Sequence, residues 1–322
     1  MADANWPRVA VVGAGAVGCY FGGMLARAGA PVMLIGRAAH VDAMKRDGLF
    51  LDSMQFQQRV AVSASTSLQD VHDARLVLFS VKTVDTESTA RLLAPCLAPG
   101  AIVVSLQNGV DNAERIRAAS GINAIPAVVY VAVAMTGPGR VKHNGRGDLI
   151  IGNPQTVSGA SQSQLDEVAG VFTRAGVPCR ISQNVTAELW EKLIMNCAYN
   201  AISALLRSKY GRIAQDPGTI EVIKQVTREA VAVAGAAGVQ LSAENIIAAA
   251  LKLGSQAMPE TLSSTARDIA RGKPTEIDSL NGFLVRKGAE LGVPTPVNQT
   301  LHSLVKLLEQ SETNKPSLPE AG

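Results

Sequence analysis

The stretch Arg8-Val-Ala-Val-Val-Gly-Ala-Gly-Ala-Val-Gly18 constrains the fold more than any other part of this chain. Val9 to Val12 is a short apolar, β-branched run, and Gly13-x-Gly15-x-x-Gly18 follows it at once. Cys19 to Gly29 then shows helical periodicity, and Pro31 to Ile35 reads as the next strand. A glycine fingerprint between a strand and a helix is the arrangement that cradles a dinucleotide. Gly13 permits the tight turn, Gly15 lets the backbone approach a pyrophosphate, and Gly18 lets the helix lie close on the strand. Ala14, Ala16 and Val17 complete the loop, and the helix N-terminus offers N–H groups to the phosphates. Gly22, one turn further on, extends the close-packed seam.

The second strand ends at Gly36-Arg37. An acidic residue there would hold a ribose 2′-hydroxyl, as in NAD enzymes, whereas a 2′-phosphate needs positive charge. No acidic residue occurs from Leu34 to Val41, and Arg37 stands at the expected position. An exposed loop arginine is common, but the missing acid turns the reading to NADPH/NADP.

Further strands are expected at Arg75 to Val81 and Ala101 to Leu106, ending at Lys82 and at Gln107-Asn108-Gly109. Ligands of such sheets sit at the carboxyl ends of the strands, so Lys82 and Asn108 are placed to meet the cofactor. Each has a plainer reading: a surface lysine opening a helix, and a turn chosen for positive φ. From Ala124 to Ile151, turn signals at Gly137-Pro-Gly139 and Asn144-Gly145 suggest antiparallel strands that extend the sheet. Ser161 to Ala175 and Val177 to Ile181 add a helix and a strand. Beyond Asn184 only helices are expected: Thr219 to Ala237, Ser242 to Leu253, Ser264 to Arg271, Ser279 to Leu291 and Asn298 to Glu309. The fold class is therefore α/β, a Rossmann-type doubly wound sheet over residues 1–183 followed by an all-helical domain over 184–310. The polar, proline-containing segment 311–322 is expected to be a disordered tail.

Composition narrows the partners. The 322 residues carry 30 basic and 27 acidic side chains without a basic run, which argues against nucleic acid. The N-terminus lacks a signal-like pattern, and apolar runs such as Ala124 to Met135 are too short for a bilayer span. Cys19, Cys96, Cys179 and Cys197 form no CxxC pair, as expected of reduced cysteines in a cytoplasmic protein. His40, His72, His143 and His302 are scattered, so no metal site is expected and no histidine proton donor stands out. Oligomeric state is open, a homodimer included.

The second half carries its own constellation. Glu188 to Asn200 reads as a helix that puts Lys192, Asn196 and Asn200 on one face. Two asparagines inside a helix cost about 0.5 kcal/mol each. Either that face hydrogen-bonds a neighbouring loop, or it grips a polar ligand. Further on come Ser263-Ser264 and Pro274-Thr275-Glu276-Ile-Asp278. Thr275 reads as a helix cap and Glu276 as a first-turn residue. Functionally, Glu276 would be the anionic neighbour that keeps a partly buried Lys192 protonated.

Taken together, these marks resemble the ketopantoate reductase (2-dehydropantoate 2-reductase) family, over nearly the whole chain. The glycine motif is generic. The run Glu191-Lys192-Leu-x-x-Asn196-x-x-x-Asn200, followed by Ser264 and Thr275-Glu276-Ile-Asp278, is far more specific. The resemblance implies that Lys192 is the general acid and that Glu276 lies beside the cofactor ribose and the lysine. It implies that Asn196, Asn200 and Ser264 hold the substrate, and that Lys82 and Asn108 border the nicotinamide. The reaction implied is hydride transfer from NADPH to the keto carbon of a small 2-oxo acid, ketopantoate, giving pantoate on the route to pantothenate and coenzyme A. One position departs from the pattern. Many members carry asparagine just before the glycine that follows the long helix, and here that residue is Tyr210. A same-scaffold reductase of another branched or aromatic 2-oxo acid is therefore the alternative. A non-catalytic NADP(H)-binding regulator is a third, which the presence of both Lys192 and Glu276 disfavours.

Overall fold

A computed structural model of the chain describes residues 6–154 and 159–313. The chain divides into two compact units, Met1–Glu188 and Leu189–Gly322.

In the first unit the strands are β1 (Val9–Val12), β2 (Val32–Ile35), β3 (Leu49–Asp52), β4 (Gln57–Val60) and β5 (Ser63–Ser65). They continue with β6 (Leu76–Phe79), β7 (Ile102–Ser105), β8 (Ile125–Gly137), β9 (Arg140–Ile151) and β10 (Cys179–Ile181). β5, β2, β1, β6, β7 and β8 pair in that order, all parallel, which is the doubly wound arrangement the glycine motif predicted. β1 is buried along its length because helices cover both faces of a parallel sheet. Strand alternation sends Val9 and Val11 into the core under the first helix, and Ala10 and Val12 into the core on the opposite face.

β9 pairs antiparallel with β8, β10 and β3 pair parallel with β9, and β4 closes the far edge antiparallel to β3. The sheet is thus mixed and curls around the first helix, Ala16–Arg27. That curl needs small residues. A Cβ on Gly22 would lie 2.8 Å from Val11 Cγ2, and one on Gly23 would lie 2.8 Å from leucine methyls of Leu49 and Leu51 on β3. No local pattern in the sequence marks β3, β4 or β5. Asn144-Gly145, expected as a turn, is not one. Those residues lie inside β9, where register shifts between Tyr130/Val131 and Ala132/Val133 mark bulges.

The second unit is helical, led by the long helix Val185–Leu206 that begins before the division between units. Two expectations need correction. Thr275-Glu276 does not open a helix: Ile277–Ser279 is a single 3-10 turn, and the helix proper starts at Asn281. The last helix, Pro296–Thr313, also runs past Glu309, so Ser311 to Thr313 are helical and not tail. Residues 314–322 of the expected tail lie outside the described residues. Among the described residues no helix is long and apolar enough to cross a membrane.

Candidate functional site

In the first unit the candidate site is the loop after β1. Gly13 has φ +107°, and a Cβ there would lie 2.7 Å from the Ser80 carbonyl carbon and the Val81 nitrogen. Only glycine lets the turn pass so close to β6. A Cβ on Gly18 would lie 2.5 Å from Ser80 Oγ and 2.8 Å from Val11 Cγ1, so this glycine sets how near the helix lies to the strand. Gly15 is different. It is exposed, and nothing lies within 4 Å of where its Cβ would be. The N–H groups of Gly13 and Ala14 donate to the Ile35 carbonyl at 3.0 and 2.8 Å, which fixes the loop to β2. The N–H groups of Ala16, Val17 and Gly18 precede the first intrahelical bond, Cys19 to Gly15, and the first turn holds no acidic side chain. An open, donor-rich cradle of this kind fits a pyrophosphate.

Ser80 was missed in the sequence. Its hydroxyl donates to the Gly13 carbonyl at 2.9 Å and so holds the turn from below. Arg37 is exposed and caps the helix Ala38–Asp47 at the carboxyl end of β2.

A polar network fixes the loops carrying Lys82 and Asn108. Gln107 Nε2 donates to the Val81 carbonyl at 3.1 Å and to Thr86 Oγ1 at 2.8 Å, while Ser105 Oγ donates to Gln107 Oε1 at 3.1 Å. The Asn108 carbonyl accepts from Asn112 Nδ2 at 2.7 Å and Thr83 Oγ1 at 3.4 Å. Thr83, Thr86, Ser105, Gln107 and Asn112 are all buried, and such satisfied buried networks are rigid. Lys82 is exposed and Asn108 half-buried, followed by Gly109 at φ +111°. Of the Asn-Gly pair at the carboxyl end of β7 only the glycine takes a positive φ. Gln107, beside Asn108 in the sequence, was the available clue to the network.

The second unit carries its own group of polar residues, on the face of the helix Val185–Leu206. Lys192 and Asn196 are half-buried and Asn200 is 3% exposed. Asn200 Oδ1 accepts from the Tyr210 hydroxyl at 3.2 Å, and its Nδ2 lies 3.5 Å from Ser264 Oγ. Burial pushes the Tyr210 hydroxyl above the usual phenol range, so it stays a donor at neutral pH. Its ring packs on that of Tyr199 at 4.5 Å. Ser264 is exposed, while its neighbour Ser263 is buried and does the anchoring. Ser263 Oγ caps the helix Ser264–Ala270 through the Ala266 N–H at 3.0 Å and donates to the Asn200 carbonyl at 3.2 Å.

Glu276 is half-buried at the head of the 3-10 turn. Thr275 does not cap a helix: Glu276 holds the N-cap position of the 3-10 turn, and Thr275 Oγ1 accepts from the Ile277 N–H at 3.2 Å as a local turn bond. Asp278 accepts from His302 Nε2 at 2.7 Å and Lys306 Nζ at 2.8 Å. Burial alone would raise the Asp278 carboxyl, but the hydrogen bonds from Lys306 and His302 together hold it below its ordinary range.

A doubly wound sheet with an open glycine cradle, joined to a helical unit that presents lysine and amides on one face, defines a dinucleotide-dependent oxidoreductase. Residues 9–156 match the family described as ketopantoate reductase PanE/ApbA, and residues 184–309 match that family's C-terminal part. The chain belongs to this family. It is 32% identical to the 2-dehydropantoate 2-reductase of Pyrococcus abyssi, over 96% of this chain and 100% of that one. Its structure is similar to that of a PanE/ApbA family ketopantoate reductase from Ralstonia eutropha JMP134, with TM-score 0.87, 48% identity, and coverage of 95% and 100% of the two chains. A D-mandelate dehydrogenase solved with NADH and anilino(oxo)acetate shares the fold at TM-score 0.89 and 23% identity, over 96% and 100% of the chains.

Proposed function

We propose that this protein reduces ketopantoate to pantoate with NADPH. The observation that carries the reading is the conjunction of an open glycine cradle with Lys192, Asn196 and Asn200 on one helix face, in a chain that matches the family over both halves. Gly13 to Gly18 hold the pyrophosphate through the first-turn N–H groups, and Arg37 holds the 2′-phosphate as a charge partner. Lys82 and Asn108 border the nicotinamide, and Glu276 takes the ribose hydroxyls. Bound in this way, the reduced nicotinamide supplies the hydride for the keto carbon.

Lys192 stabilises the negative charge that develops on the keto oxygen and donates the proton that completes the alcohol. Glu276 keeps the lysine protonated. Ser264, with nearby backbone N–H groups, holds the carboxylate, while Asn196 and Asn200 hydrogen-bond the distal hydroxyl. Incubation with NADPH and ketopantoate tests the whole reading: loss of nicotinamide absorbance should match pantoate formed, mole for mole. Absence of pantoate would refute it.

NADPH should be preferred over NADH. Arg37→Ala should raise KM for NADPH roughly tenfold, about the worth of one charge-assisted phosphate contact, and leave KM for NADH nearly unchanged. Equal use of the two cofactors by the native protein would contradict the assignment of Arg37. A second reading, reduction of another branched or aromatic 2-oxo acid, is favoured by Tyr210, whose bulky ring is buried with its hydroxyl donating to Asn200 Oδ1 at 3.2 Å.

A further inference from the structure

We propose that Asp278 and the last-helix residues His302, Lys306 and Glu309 are positioning residues for Glu276. This rests on the reading that Glu276 works beside the cofactor ribose and Lys192. The last helix presents the three side chains at i, i+4 and i+7, hence on one face. Glu309 Oε1 accepts the N–H of Thr275, the residue before Glu276, at 2.7 Å. Asp278, on the other side, receives His302 on Oδ1 at 2.7 Å and Lys306 on Oδ2 at 2.8 Å. Lys306 also reaches Glu309 Oε2 at 3.1 Å, so the two grips are joined. The short peptide that carries Glu276 is thus held on both flanks by one helix. Gly282 belongs to the same device, because a Cβ there would lie 2.8 Å from His302 Nε2.

The same helix also ties this peptide to the one carrying Lys192. Asn281, fully buried, donates through Nδ2 to the carbonyl of Cys197 at 3.3 Å, next to Asn196, and to Asn298 Oδ1 at 2.9 Å. Asn298 is held in turn by Glu229, Nδ2 to Oε2 at 2.7 Å. The pair of Lys306 and Asp278, with side chains 38% and 47% exposed, is of the solvated kind that adds little to stability. Misplacing a reacting group by about 1 Å, however, can cost about 10²-fold in rate. The network therefore acts chiefly on the geometry of Glu276.

Lys306→Met and Glu276→Gln, made singly and together in the full-length protein, separate the possibilities. With NADPH and ketopantoate, Lys306→Met should lower kcat/KM roughly tenfold, within the usual span of coupled neighbours, with Tm nearly unchanged. Lys306→Arg should recover most of it. In the Glu276→Gln background the further loss should vanish, since Lys306 acts through Glu276. Asp278→Asn, which breaks the grip from the other end, should behave alike. Native kcat/KM in Lys306→Met, or a tenfold loss that persists in the Glu276→Gln background, overturns the proposal. Normal turnover of Glu276→Gln alone would instead remove the reading of Glu276 on which it stands.

Discussion

Replacing Lys192 with alanine should lower kcat by about 10²–10⁴-fold, the range for a positioned general acid, while leaving the protein folded. The helix around it is secured by Leu193, Ile194, Cys197 and Ala198, all essentially fully buried, so its packing does not depend on the half-buried lysine. Alanine is also a strong helix former. Lys192→Arg should recover little, because guanidinium keeps the charge but is too weak an acid to give up its proton. Steady-state kcat measured beside a thermal melt decides the matter. Near-normal turnover in the alanine variant would mean that the proton comes from elsewhere.

The second large effect concerns the glycine cradle, where two neighbouring substitutions should behave differently. Gly15→Ala introduces a methyl into open space, at an extended backbone conformation that any residue adopts. Its Tm without cofactor should match that of the native protein, while its Kd for NADPH should rise roughly tenfold or more, the loss of about one 1.4 kcal/mol step. Gly18→Ala forces a methyl against the Ser80 hydroxyl and Val11, both held by the central strands. Overpacking of this kind costs about 1–3 kcal/mol, so Tm should fall along with affinity. Thermal melts with and without NADPH distinguish the two. Equal Tm losses would mean that Gly15 serves the fold and not the ligand.

These contrasts show which parts of the molecule were legible in the sequence. The cradle was, because its glycines act through local φ angles and through spacing along one strand and one helix. The Lys192 face was also legible, because four-residue steps on a helix are a local rule. The sheet's far side was not. Gln57, Gln58 and Arg59 on β4 are exposed and polar, and nothing local tells that β3 leaves the β2–β5 neighbourhood to pair with β9. Asn144-Gly145 carries turn chemistry that the β8–β9 hairpin uses for a bulge. Thr275 makes a local turn bond to the Ile277 N–H, but Leu280, at φ −108° and ψ −105°, interrupts the path before the helix begins. His302, Lys306 and Glu309 look like an ordinary solvated helix face, since their partners are distant in sequence. The Tyr210–Asn200 hydrogen bond likewise depends on a fold-level meeting that spacing does not encode.

On the proposed function, the face of Lys192, Asn196 and Asn200 is built for a 2-oxo acid with a distal hydroxyl. A site that hydrogen-bonds a hydroxyl discriminates against analogues lacking it, because its own buried polar groups are then left unpaired. The most direct test is kcat/KM with NADPH for ketopantoate, for 2-ketoisovalerate, which lacks the hydroxymethyl group, and for an aromatic 2-oxo acid such as phenylglyoxylate. Ketopantoate should give the highest value, and Asn200→Ala should narrow its lead mainly by lowering the ketopantoate figure. Equal values for the two branched substrates, or a lead for the aromatic one, would contradict the claim and make Tyr210 the mark of another specificity.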